Sequence, residues 1–495
     1  MAVPKVMGIE TEYGIISRGV EEHNPIFASS LLINSYVSPR LKRVRWDYEE
    51  ETPLRDARGA FQRAGLDFLD DDGGLVSVIL ENGARYYVDH AHPEYSTPEC
   101  SNARDLVIHD KAGERILAGS LATAARSLPS GVQILLYKNN SDGKGNSYGC
   151  HENYLMSRAT PFSNIVSQLT PFLVTRQVYT GAGKVGSEGS GADKQVQYQL
   201  SQRADFFEVE VGLETTFKRP LINTRDEPHA DPEKYRRLHV ILGDANMSEI
   251  STFLKTGTTA LVLSMIEDNF ITSDLRIAGP VSAFQTISRD PTCKSRVLLS
   301  DGRTVTAVDL QWEYLDWAKK YLADQDVDGV TAEVVGRWEE TLGALETDPM
   351  SLARQLDWVA KYRMIEAYQE RKGLEWGDPK LSLIDLQYHD IRIDRGVYYK
   401  LVESGQMDTL VSEQEIADAV SEPPHDTRAY FRGKALSRFA SQITAASWDA
   451  VIFDTGADAL QKVPMMEPLK GTKATVGRLM ESARDAADLV EQIRA

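Results

Sequence analysis

Residues 7–14 read Met7-Gly-Ile-Glu-Thr-Glu-Tyr-Gly14, and residues 82–95 read Asn82-Gly-Ala-Arg-Tyr-Tyr-Val-Asp-His-Ala-His-Pro-Glu-Tyr95. In an extended chain successive side chains alternate between faces, so Glu10 and Glu12 share one face while Ile9, Thr11 and Tyr13 take the other. Two carboxylates side by side repel each other unless something positive lies between them. A divalent cation bridging to phosphate satisfies that requirement. Asp89 closes the second strand-like run and Glu94 follows its turn, so both carboxylates can return to the same cavity. Taken alone, a Glu-x-Glu pattern is more often a solvated sheet face. The remainder of the chain has to supply the specificity.

The 495 residues suffice for one large core and a smaller unit, and the 42% hydrophobic and 26% charged content is that of an ordinary globular protein. No uncharged apolar run reaches the ~18 residues of a membrane span, and no long apolar stretch follows the first residues, so neither a membrane partner nor a secretory signal is expected. The three cysteines, Cys100, Cys150 and Cys293, form neither a paired framework nor a zinc spacing, which fits a reducing cytoplasm. A formal charge of −18 argues against nucleic acid as a partner. The local exceptions, Lys42-Arg43-Arg45 and Lys234-Arg236-Arg237, read as contacts to phosphate or to an acidic peptide.

Periodicity gives a coarse map. A strand is expected over residues 5–16, one or two strands over 76–89, a helix over 103–127 and a buried strand over 132–137. Further strands are expected near 206–214 and 237–242. The glycine-rich residues 181–193 and the aspartate- and glycine-rich residues 70–74 read as flexible connections. Helices are expected at about 249–267, 308–322, 331–344 and 350–370, with amphipathic segments near 428–446 and 473–494. Pro423 and Pro424 mark a boundary, dividing the chain into a large unit, 1–424, and a small one, 425–495. The expected class is α+β, with a curved, mainly antiparallel sheet backed by helices. Lys144 lies between Gly143 and Gly145 in a tight turn, without the spacing of a P-loop, and Gly181-Ala-Gly-Lys-Val-Gly lacks the context of a dinucleotide fingerprint.

Four further stretches complete the pattern. They are Arg45-Trp-Asp-Tyr-Glu-Glu-Glu-Thr-Pro-Leu-Arg-Asp-Ala-Arg-Gly59, the run from Tyr137 to Tyr154 containing Asp-Gly-Lys-Gly and Cys-His-Glu-Asn, the run from Thr215 to His229, and Arg236-Arg-Leu-His-Val-Ile-Leu-Gly-Asp-Ala-Asn246. Together with the two opening segments they resemble, along essentially the whole chain, the depupylase branch of the Pup ligase family, which is related to glutamine synthetases and carboxylate-amine ligases.

The resemblance implies a glutamine-synthetase-like large domain that binds ATP, or ADP together with phosphate, and Mg2+. It also implies a small family-specific C-terminal domain and an active-site loop around residues 40–75. It carries the central catalytic role onto Asp89 and metal or phosphate roles onto Glu10, Glu12 and Glu94. His151 and His239 fall in the nucleotide and metal region, and Arg225 becomes a phosphate-facing guanidinium, with an ion pair to Asp226 or Glu227 as the plainer role. Arg55, Asp56 and Arg58 are loop residues with a functional or a merely solvent-facing reading.

The implied substrates are Pup, a small disordered acidic protein, and pupylated proteins. The implied reactions are deamidation of the C-terminal glutamine of Pup and hydrolysis of the Pup–lysine isopeptide bond, with the nucleotide as cofactor. Asp89 could attack the carbonyl as a nucleophile or activate water as a base. The first segment departs from the Gly-Thr-Glu-Val-Glu-Tyr-Gly form common among depupylases, which keeps an ATP-consuming Pup–protein ligase as the alternative. A noncatalytic Pup-binding adaptor and a glutamine-synthetase-like small-molecule ligase are the remaining alternatives, and the oligomeric state stays open. The loop and the segment from Asp89 to Tyr95 favour the hydrolase.

Overall fold

The computed structural model describes residues 2–49, 51–58, 76–188 and 195–494. The expected flexible connection at 70–74 lies outside the described residues, as do residues 189–193 of the glycine-rich stretch. A six-stranded antiparallel sheet organises the molecule. Its strands are β1 (Met7–Glu12), β2 (Ser77–Ile79), β3 (Arg85–Asp89), β4 (His92–Ser96), β5 (Cys150–Ser157) and β6 (Tyr235–Val240), in the order β6-β5-β1-β4-β3-β2.

The period-two alternation separates the sheet into an apolar and a polar face. Met7 and Ile9 of β1, Tyr154 and Met156 of β5 and Leu238 and Val240 of β6 enter the larger core. Val78, Tyr86, Val88 and Tyr95, from the other half of the sheet, enter a second core. Four helices supply much of the backing: α1 (Pro25–Tyr36), α2 (Ala103–Ala124), α3 (Phe162–Thr175) and α4 (Glu249–Glu267). Asn24 caps α1 by accepting from the Phe27 amide, and the proline at the first helical position adds no unsatisfied N–H. Asn102 caps α2 and Ser248 caps α4 in the same way. Helix α4 is buried almost all round, so its Thr256, Thr258 and Thr259 hydroxyls donate to carbonyls one turn back rather than to water.

Helix α2 shows the expected burial of Ile108, Ala112, Ile116 and Leu117, but it also buries Asp110, Lys111 and Glu114. Lys138 compensates the two carboxylates, lying 2.6 Å from Asp110 and 2.8 Å from Glu114, and Lys111 pairs with Glu114 at 3.0 Å. Buried charges of this kind persist only when paired. Gly113 lets α2 approach the sheet, since a Cβ there would fall 2.4 Å from the Tyr95 ring. Gly113→Ala should therefore overpack the contact and cost about 1–3 kcal/mol of stability, read by denaturant unfolding.

Two expectations need correction. Residues 5–16 form two strands rather than one, because the chain leaves the central sheet at buried Tyr13 and Gly14–Arg18 pairs instead with Gln133–Tyr137. Gly14 sits where a Cβ would lie 2.4 Å from the Tyr148 hydroxyl, so close packing fixes the departure. The segment 428–446 is α-helical over Ala429–Phe439 and closes with a 3-10 turn over Ala440–Gln442. Ile443–Ala446 is a strand between Ala450–Phe453, antiparallel, and Arg45–Trp46, parallel. Residues from both sides of the Pro423-Pro424 boundary thus share one small sheet, and Phe431, Leu436 and Phe453 share the second core with β3 and β4.

Candidate active site

The polar face of the sheet carries the site. Register places Glu12 opposite Glu94, and Tyr87 opposite Glu94 on its other side. Strands β3 and β4 are joined by the two-residue turn His90-Ala91, with His90 in the left-handed region at φ 52°. Asp89 stands at the rim of this hairpin. Carboxylate oxygens of Glu12, Asp89 and Glu94 lie within 4.8 Å of one another. Glu12 and Glu94 are buried, whereas the Asp89 side chain is 36% exposed.

The electrostatics of the three carboxylates differ. Burial, with Asp89, Glu12 and Glu10 adding their repulsion, pushes the Glu94 carboxyl well above its ordinary range. Tyr87 donates to Glu94 Oε1 at 2.6 Å and relieves only part of this. Burial also opposes the charge on Asp89, but His90, at 2.7 Å, together with the fields of His151 and Arg225 outweighs it and holds the Asp89 carboxyl down. Asp89 is thus the ionised, accessible member of a cluster whose remaining charge needs a cation.

One strand over, Glu10 faces His151 across the β1–β5 register, and Asn153, two residues on, faces His239 of β6. Ligand atoms of Glu10, His151 and His239 also lie within 4.8 Å of one another. Asn153 organises this second group. Its amide nitrogen donates to Glu10 Oε1 at 2.8 Å, and its oxygen lies 2.8 Å from Arg237 Nη1 and 3.0 Å from His239 Nδ1. An amide oxygen only accepts, so His239 Nδ1 carries the proton and Nε2 presents its lone pair. That nitrogen is buried without a hydrogen-bond partner among the described residues. Burial keeps the imidazole neutral, with Arg237 and His151 offsetting the pull of Glu10. Glu10 stays ionised despite its burial, because His151, His239 and Arg237 together overcome the desolvation.

The polar face therefore divides the expected metal set in two: Glu12 and Glu94 stand with Asp89, while Glu10 stands with the two histidines. The first group is all oxygen, the donor set that suits a hard divalent cation such as Mg2+. The second mixes oxygen and neutral nitrogen, and the unpartnered His239 Nε2 is a ready ligand for an ion more tolerant of imidazole.

Arg225 and the loop residues meet at one edge of the site. The Ala57 amide donates to the Thr224 carbonyl at 2.8 Å, the Asp226 amide to the Arg55 carbonyl at 2.8 Å, and the Thr52 amide to Glu227 Oε1 at 2.6 Å. Arg55 thus enters through its backbone. Asp56 is buried and takes a two-pronged contact from Arg58, whose side chain is half exposed. Arg225 donates to the Pro53 carbonyl at 3.2 Å and lies 3.9 Å from Glu227, while Asp226 is held by Arg158. Part of the loop expected at 40–75 lies outside the described residues.

Several site residues escape sequence reading. Arg237 sits within a basic cluster whose other members point elsewhere, Lys234 to Glu467 and Arg236 to the Thr160 carbonyl. Period two could have found it: Arg237 precedes His239 by two, Asn153 follows His151 by two, and Tyr87 precedes Asp89 by two. Arg203 and Arg219 carry no such signal. Arg203 is fully buried, donates to the Ile241 carbonyl and leaves Nε unpartnered. Burial, then the neighbouring charge of Arg219, brings its pKa down to about 10. Arg219 donates to the Thr215 and Ser147 carbonyls and feels the field of Glu12. Among the described residues neither forms an ion pair, and both lie in the field of Glu12. A cavity of about 80 Å³, open to solvent, adjoins Glu10 and Arg237 and is walled by Gly8, His229, Trp448 and Pro468.

An antiparallel sheet that gathers carboxylates, a neutral imidazole and the Arg237 guanidinium on one face offers the donor types that bind cations and anionic groups. The chain itself belongs to the Pup-ligase protein family, whose pattern matches residues 5–452. It is 59% identical over 497 residues to the depupylase of Acidothermus cellulolyticus, covering 98% of each chain. To the Pup deamidase/depupylase of Mycolicibacterium smegmatis it is 53% identical over 497 residues, covering 99% of each. The crystallised Pup ligase PafA in complex with ADP is 36% identical, with a TM-score of 0.75 over 85% of this chain and 95% of that one.

Proposed function

We propose that this protein is a nucleotide- and Mg2+-dependent amidohydrolase that deamidates the C-terminal glutamine of Pup and cleaves the isopeptide bond joining Pup to lysine in pupylated proteins. The observation that carries this reading is the placing of an ionised, accessible Asp89 at the rim of an otherwise buried carboxylate cluster. The full-length likeness to depupylases supports it.

In this reading Glu12, Glu94 and Glu10 with His151 and His239 hold cations, and Arg203 and Arg219 face phosphate. The base of ATP, or of ADP with phosphate, occupies the cavity beside Trp448. A cation held with the nucleotide would supply positive charge that draws electron density from the substrate carbonyl, and Arg225 adds to the field at Asp89. The Asp89 carboxylate then attacks the carbonyl carbon, the C–N bond breaks, and the leaving amine takes up one proton from solvent water, which one of the two protons set free on anhydride hydrolysis restores. Water opens the resulting anhydride, returning Asp89 as carboxylate and releasing the glutamate end of Pup.

Residues 1–424 form the catalytic unit in this reading and 425–495 a small accessory one. The three cysteines, all free and buried, fit a cytoplasmic setting. No helix among the described residues is long and apolar enough to cross a membrane. The deciding experiment incubates the purified protein with Mg2+, ATP and Pup ending in glutamine, following ammonia, ATP and ADP together. Ammonia released in excess of nucleotide consumed is the expected result. Absence of ammonia, with ATP-dependent joining of glutamate-ended Pup to protein, would make the chain a ligase.

A further inference from the structure

The isopeptide bond has two sides: Pup supplies the carbonyl that Asp89 meets, and the lysine of a folded protein supplies the leaving nitrogen. A lysine arm spans only about 6 Å from Cα to Nζ, so the surface that bears it must come to rest against whatever stands around the Asp89 rim. Helix α1 stands there. Ser29 Oγ donates to the Ala91 carbonyl in the hairpin turn at 2.9 Å. Tyr36, at the other end of the helix, interacts with Glu81 and Tyr86, where β3 begins. The helix therefore runs back along β3 from the turn, and its first turn is the end at the rim. With a rise of ~1.5 Å per residue, Ile26 lies about 4.5 Å outward from Ser29 on the same side of the helix.

Solvent meets apolar side chains at this end. Ile26 is 44% exposed and Phe27 65%. Ile16, on the strand Gly14–Arg18 that packs against α1, and Val20, in the turn that follows, are exposed as well. Buried Ala28, Leu32 and Ile33 hold α1 on the second core without help from Phe27. Single exposed apolar residues are ordinary, but here four occur about one helix end, accompanied by exposed Arg18, Glu21, Glu22 and His23. An apolar centre with a polar rim is the composition of a contact surface, and this one is continuous with the rim of the reaction site. Charge decides which half of the substrate it meets. Residues 19–31 contain two glutamates and no lysine or arginine, a poor match for acidic Pup. An apolar lip suits the variable half, because more than half of the accessible surface of any folded protein is apolar.

We propose that the first turn of α1, with Ile26 and Phe27 at its centre, is a docking lip for the protein that carries Pup, touching the surface around the modified lysine and not Pup itself. The proposal rests on the hydrolase reading of the Asp89 site. It separates the two reactions of that site: deamidation releases ammonia and leaves the lip empty, whereas depupylation fills it.

The test compares wild type with two variants, Ile26→Ser combined with Phe27→Ser, and Phe27→Asp alone, on three substrates that share the Pup half. These are glutamine-ended Pup, Pup joined to free lysine, and Pup joined to a folded protein. For the folded conjugate kcat/KM should fall about tenfold, the scale of truncating an interface anchor, while the other two substrates stay within about twofold and the melting midpoint is unchanged. Equal losses on all three substrates would put Pup on the lip, and undiminished cleavage of the folded conjugate would make the patch idle surface; either result overturns the proposal. Hydrogen exchange on the Asp89→Asn protein reads the lip without turnover. Slower exchange over residues 20–30 with the folded conjugate, but not with Pup alone, is expected, and the absence of that difference overturns the docking. A wild type that releases neither ammonia nor lysine would instead count against the hydrolase reading, because the exchange difference would still report the lip.

Discussion

Asp89→Asn should lower single-turnover deamidation and depupylation by on the order of a thousandfold or more, while leaving a folded protein that still binds nucleotide. The argument begins with repulsion. Burial, with the repulsion of Asp89 and Glu12 added, pushes the Glu94 carboxyl well above its ordinary range, so removing the Asp89 charge relieves part of the strain on the other two. Asp89 stands at a hairpin rim with a partly exposed side chain, and among the described residues it pairs with the exposed His90 next to it, a contact that contributes little to stability. The melting midpoint should accordingly stay level or rise slightly. Chemistry, in contrast, has no substitute, because Asn carries no negative charge with which to attack. Ammonia and free lysine-bearing product measured in single turnover, beside a thermal melt, decide the point. Activity within tenfold of wild type in a normally folded variant would remove Asp89 from the reaction.

Alternation over Met7–Glu12 was enough to place Glu10 and Glu12 on one face, and the turn after Asp89 was enough to return Glu94 toward it. Chemistry at short range follows from local pattern because the side-chain period of a strand is fixed. The division of the carboxylates into two groups follows from something else, the register of β1 against β4 on one side and β5 on the other, which depends on packing across distant segments. Arg203 lies between motifs and Arg219 inside the Thr215–His229 run, and nothing in their neighbours announces that they lack carboxylate partners. Non-local pairing also hid the break at Tyr13 and the strand Ile443–Ala446, whose partner Arg45–Trp46 lies about four hundred residues earlier. The helices were easier, because α4 and the later helices declare themselves by length and by capping residues such as Ser248.

Glu99→Gln should cost about 3–5 kcal/mol, the usual penalty for leaving buried charge without its counterpart. Glu99 accepts from Arg428 Nε at 2.8 Å and from both terminal nitrogens of Arg432, and its backbone carbonyl accepts from the Thr427 hydroxyl at 2.7 Å. The two arginines go on to the Met465 and Trp448 carbonyls, each at 2.8 or 2.9 Å, so one carboxylate ties the helix Ala429–Phe439 and the chain beyond it to the main sheet. Burial opposes the charge on Glu99, but Arg432 and Arg428 outweigh it and bring its pKa down to about 2 from an ordinary 4.5. A carboxyl depressed by folding contributes stability that is present above its unfolded pKa and is lost as the pH falls through the folded one. For Glu99 that is about 3 kcal/mol, complete above roughly pH 5 and withdrawn as pH drops toward 2. The deficit of the Gln variant should thus be largest at neutral pH and shrink in acid. Hydrogen exchange over Ala429–Phe439 reads the consequence directly. Faster exchange there, with the amides of Met7–Glu12 still protected, would mean that residues 425–495 loosen as a separate unit. Uniformly faster exchange would mean that they fold as part of the same cooperative core as β3 and β4.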